Sequence, residues 1–126
     1  MKLRESELRS KRFEAEDKAR KVADIEAMIR EFELMAADLG RQIGSEEERT
    51  GIRDNKHFAY STFAEAAGRR RENLINSIED LRGKLAEALH ERDLAIEDLR
   101  KIEQSDGREN NRTRYRNEQI SGLIAR

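Results

Sequence analysis

Apolar residues recur along this chain with a helical period in two long stretches, parted by a shorter one in which the period lapses. In the first stretch a heptad abcdefg puts Leu8, Ala15, Val22, Ile29, Ala36 and Ile43 at a, with Ile25, Phe32 and Leu39 at d. Arg4, Lys11 and Lys18 take the earlier d positions, so the seam is strong from Val22 to Ile43 and thin before it. In the second stretch Ala64, Arg71, Ile78, Leu85, Arg92 and Leu99 fall at a, and Ala67, Leu74, Leu81, Ala88, Ala95 and Ile102 at d. Ile75, Leu89 and Ile96 add apolar surface at e, a wider stripe than a two-stranded seam needs. Met28 and Met35, at g beside the seam, either widen the first buried stripe or form a partner-binding one.

Between the stretches lies Gly44–Ala67. Gly44 and Gly51 offer helix stops, and Asp54 and Asn55 have side chains that satisfy their own backbone in turns. Thr62 and Glu65 have the spacing of a capping box that restarts the helix at Thr62. The expected fold is all-α: an elongated, antiparallel two-helix coiled-coil hairpin forming a single domain. Helix 1 is expected over about 2–48, a tip over about 49–61, helix 2 over about 62–104, and a weaker polar tail over 105–126. Gly107, Asn110 and Asn111 are poor helix formers in that tail; Ile120, Leu123 and Ile124 share one face if the helix continues.

Two pairings, one heptad apart, satisfy the pattern. The better one sets Ile29 against Leu81, Ile25 against Leu85 and Phe32 against Ile78; the other sets Phe32 opposite Arg71. Even the better one places Lys18 opposite Arg92, a like-charge layer expected to be weak or splayed. Acid-to-base pairs at i,i+4, such as Glu14–Lys18 and Glu16–Arg20, support the exposed faces by a few tenths of a kcal/mol each, as an order of magnitude.

Composition narrows the picture further. Charged residues make up 42% of the 126 and aromatics 5%, too little apolar matter for a layered core but ample for a coiled coil. There is no cysteine, so disulfides and thiolate chemistry are excluded. No segment has the length of a signal peptide's apolar region or of a membrane span, and a cytoplasmic location is expected. Lys and Arg outnumber Asp and Glu eight to five in residues 1–21 and five to two in residues 107–126, while the chain between carries thirteen against twenty. A hairpin gathers the two basic ends into one pole. Nucleic acid is a poor fit, because only Phe13 and Tyr115 are interleaved with the basic residues.

Chemistry is sparse. His57 and His90 stand apart with no second ligand at metal spacing. Gly40 and Gly44 have the spacing of a membrane packing motif but lie in a charged segment. Carboxylates sit on helix faces with nothing to raise a pKa. No catalytic, cofactor or metal residue is expected, and no enzymatic activity. The tip aromatics Phe58, Tyr60 and Phe63 either clamp the turn or form a small docking patch.

One stretch carries more than a heptad. Glu47-Glu48-Arg49, Gly51-Ile52, His57 to Ala64, Ala66-Ala67 and Arg70 to Leu74 resemble the central region of FliJ-type flagellar export proteins in their alphaproteobacterial form. Lys11-Arg12-Phe13 and Met35 to Leu39 agree with it, and the likeness covers most of residues 1–102. The resemblance implies an antiparallel two-helix coiled coil similar to the central stalk of rotary ATPases. It implies a place on the cytoplasmic side, at the base of the flagellar type III export apparatus. The partners it implies are the export ATPase ring, the cytoplasmic domain of the export gate, and export chaperones or substrates. No membrane insertion and no catalytic residues come with it. Mapped onto this chain, the ring-facing end comprises Leu3, Leu8 and Phe13 with Leu123 and Ile124, and the tip patch Phe58, Tyr60 and Phe63. The alternative is a coiled-coil adaptor or spacer that self-associates, as a homodimer or larger, through Ile75, Leu89 and Ile96.

Overall fold

The computed structural model describes residues 2–124, apart from the side chains of Lys2, Asn110, Leu123 and Ile124. Helix α1 runs from Lys2 to Thr50 and α2 from Thr62 to Ile124, and no strand occurs among the described residues. The two helices pack against each other as an antiparallel hairpin. By contact density the chain divides into a tip unit, Lys21–Ala88, and a terminal unit made of the segments up to Arg20 and from Leu89 onward.

In the tip unit the heptad reads out directly as burial. Val22, Ile25, Ile29 and Ala36 from α1 are buried with Ala64, Ala67, Ile78, Leu81 and Ala88 from α2. Phe32, Leu39, Ile43, Leu74 and Leu85 are half-buried between them. Arg71, an a residue, is exposed and lies over Gly40, where an added Cβ would stand 3.5 Å from its Nε. Across the same pair the Arg82 guanidinium lies 3.8 Å from the Glu33 carboxylate. Both neighbours belong to the pairing that sets Ile29 against Leu81. The pairing one heptad away, with Arg71 opposite Phe32, does not occur.

Helix α1 ends two residues later than expected and passes through Gly44 without stopping. Gly51 is the residue that ends it. Its φ is +76°, the left-handed conformation in which glycine carries no side-chain penalty, and its N–H donates to the Glu47 carbonyl at 2.8 Å. Asp54 then closes a turn through its side chain, Lys56 N–H donating to Oδ1 at 2.9 Å. The restart of α2 corrects the expected cap. Ser61, one residue before Thr62, is the N-cap: its Oγ accepts from the Ala64 N–H at 3.2 Å and its carbonyl from the Glu65 N–H at 3.0 Å. The Thr62–Glu65 capping box does not form.

In the terminal unit Ala15 and Ala95 are buried, and Leu8, Leu99 and Ile102 half-buried. The layer of Lys18 and Arg92 is relieved rather than splayed. Lys18 Nζ reaches across to Glu91 at 3.1 Å, and Arg92 turns to Asp93, also at 3.1 Å. With Lys18 engaged, Glu14 pairs with Lys11 at 3.5 Å, so the expected Glu14–Lys18 pair is absent. Helix α2 does not fade near Gln104; it continues through Gly107 and Asn111 to Ile124. Arg4 holds its first part, donating to Ser105 Oγ at 3.0 Å and pairing with Glu109.

Candidate partner-binding surfaces

The tip presents its aromatics on a frame of hydrogen bonds. Glu46 is a carboxylate at a d position, with its side chain only 18% exposed. Such a group needs donors, and two supply them: Arg49 Nε at 3.1 Å and Ser61 Oγ at 3.0 Å. The Arg49 bond first and the Ser61 bond second hold the Glu46 pKa below the usual carboxylate value, and Glu46 in turn raises that of Arg49. One residue along, the Tyr60 hydroxyl donates to Glu47 at 2.9 Å, and that bond to a carboxylate raises the phenol's pKa. Tyr60 is half-buried, a clamp between the loop and α1.

Phe58 behaves differently. It is 96% exposed and stacks on the His57 ring, with centroids 4.7 Å apart. The His57 ring is itself fixed, Nδ1 accepting from the Ala59 N–H at 3.0 Å, which places its proton on Nε2. Phe63, half exposed, lies in a shallow depression with Gln42, Ser45 and Arg49. Of the three tip aromatics one is a structural clamp, and two offer surface. Farther along the tip unit an open groove of about 520 Å³ runs over Phe32, Met35, Leu39 and Leu74, edged by Asp38 and Arg70.

In the terminal unit Leu3 is exposed, whereas Leu8 is half-buried in the seam and presents little of itself. Phe13 is exposed beneath the Arg20 guanidinium, which lies 5.8 Å from the ring centroid. The side chains of Leu123 and Ile124 lie outside the described residues. Ile120 and Tyr115 before them are exposed, Tyr115 accepting a bond from Gln119 at 2.8 Å. Ile75 in the tip unit and Ile96 in the terminal unit are each about one-third exposed, and Leu89 is half-buried.

Sequence reasoning missed the Glu46–Ser61 and Glu47–Tyr60 bonds. The signal was present in Glu46 itself, a carboxylate falling on the seam without a basic residue opposite. Among the described residues no cluster of three or more His, Asp or Glu side chains is placed to hold a metal, and no helix is long and apolar enough to cross a membrane. No family model, curated protein or solved structure matches this chain.

Proposed function

We propose that this chain is a non-enzymatic component of a flagellar type III protein export apparatus. It couples the export ATPase ring to the cytoplasmic domain of the export gate, escorts export chaperones or substrates, and acts by binding alone. It works at the cytoplasmic base of that apparatus, peripheral to the membrane. The observation that carries this reading is the tip. The segment whose residues resemble FliJ-type proteins, Glu47 to Leu74, forms one continuous built feature: the end of α1, a bonded loop and the capped start of α2. That loop holds Phe58 out in solvent on a fixed backbone, an arrangement suited to docking. The continuation of α2 to Ile124 also supports it, since a stalk needs its second helix at full length.

The test is capture of the purified ATPase and of the gate's cytoplasmic domain by this protein. Retention of either is expected. Deleting Ile120 to Arg126 is expected to weaken ATPase capture at least tenfold while mean-residue helicity stays nearly unchanged. If neither folded partner is retained by the full chain, the export reading fails and the self-associating adaptor takes its place.

A further inference from the structure

The terminal unit and the tip unit are held by different forces, and the difference has a consequence. In the tip unit the seam positions carry Val22, Ile25, Ile29, Phe32, Ile78 and Leu81, large apolar side chains whose burial is insensitive to ionic strength. In the terminal unit, among the described residues, the buried apolar ones are two alanines, Ala15 and Ala95, with Leu8, Leu99 and Ile102 half-buried. Arg4, Lys11, Lys18, Arg92 and Asp106 occupy other seam positions there, each half-buried. Beside that thin seam, ion pairs cross between the helices: Arg4 with Glu109, Arg12 with Glu103 at 3.6 Å, and Lys18 with Glu91 at 3.1 Å. The side chains of the last two pairs are about one-third to one-half exposed, so dissolved ions reach and screen them.

We infer that the pairing of residues 2–20 with residues 89–109 is a salt-sensitive clasp: raising the ionic strength opens it, while the pairing inside Lys21–Ala88 stays closed. The inference does not depend on the function proposed above. Opening removes these partly exposed ion pairs and a thin apolar seam, whereas opening the tip unit would expose a run of Ile, Leu and Phe. Once apart, each arm is a helix rich in charge with little tertiary support, so its amides exchange.

Hydrogen exchange of the full chain reads this directly, at about 0.01 M and about 1 M sodium chloride, between which the Debye length falls from about 30 Å to about 3 Å. With intrinsic exchange rates corrected for salt, amides of residues 8–18 and 91–102 should exchange roughly tenfold faster at the higher salt, and those of residues 22–36 and 78–88 less than about twofold faster. An equal response in both sets, or none in the terminal set, overturns the clasp. The double variant Glu91→Gln/Glu103→Gln should bring the terminal set's low-salt exchange close to its high-salt rate and leave the tip set unchanged. A variant that keeps the full salt response would overturn the assignment to these pairs.

Discussion

Ser61 and Thr62 stand side by side, and either hydroxyl has the chemistry of a helix cap. What separates them is the carboxylate across the turn: Ser61 Oγ both accepts from Ala64 N–H and donates to Glu46, using its lone pair and its proton at once. Thr62 has no such pair of partners. Ser61→Ala should therefore cost about 1 kcal/mol of unfolding free energy, and Thr62→Ala less than about half of that, in parallel urea titrations. Glu46 makes the same site acid-sensitive. Its pKa in the folded chain lies below the ordinary carboxylate value, so its contribution is fully present above that value and is lost as pH falls through the lower, folded one. Between about pH 5 and pH 2 the wild-type chain should lose stability more steeply than Glu46→Gln, with thermal melts across that range as the measure. The carboxylate was legible as a charge on the seam, but its partners and the cap were not, because capping depends on which neighbour the loop brings close, and loop geometry has no period.

At the level of the helices the reverse holds. Each apolar residue assigned to an a or d position is buried or half-buried, from Leu8 to Ile43 in α1 and from Ala64 to Ile102 in α2. Periodicity is legible because burial and the heptad are one geometric fact, seen from the side chain or from the chain. The departures occur where charge occupies the seam. Arg71 escapes to the surface over Gly40. Lys18 and Arg92 each turn to an adjacent carboxylate rather than repel one another. Long basic side chains have the reach to choose a partner beside them or across the seam, and heptad position does not reveal that choice. The continuation of α2 beyond Gln104 was equally illegible: Gly107, Asn110 and Asn111 lower helix propensity, but no residue in the segment stops a helix as a proline would.

For the molecule as a whole, the question is whether it works as one chain or as several. Ile75 and Ile96 are each a little over one-third exposed and Leu89 is half-buried, and the export reading requires no self-association through them. The chain is expected to sediment as a monomer at micromolar concentration, and the triple variant Ile75→Glu/Leu89→Glu/Ile96→Glu to sediment and unfold much like it. A dimer or tetramer in analytical ultracentrifugation that the triple variant abolishes would favour the adaptor.

The hairpin topology also sets a timetable for biosynthesis. Glu46 and Ser61 are separated by 15 residues, and both have been synthesised almost as soon as the turn has. Arg4 and Ser105 are 101 apart, so the first helix leaves the ribosome long before the residues that will face its start exist. At roughly 5–20 residues per second that interval is about 5–20 s. Through it the nascent N-terminal arm waits with Leu8 and Ala15 uncovered, while the tip, its short loop inexpensive to close, is already free to fold. A charged, apolar-poor arm suits that wait, since it offers little for other nascent chains to stick to. The thin seam that gives the finished hairpin few apolar contacts in residues 2–20 is the same feature that leaves the unfinished arm little apolar surface to expose.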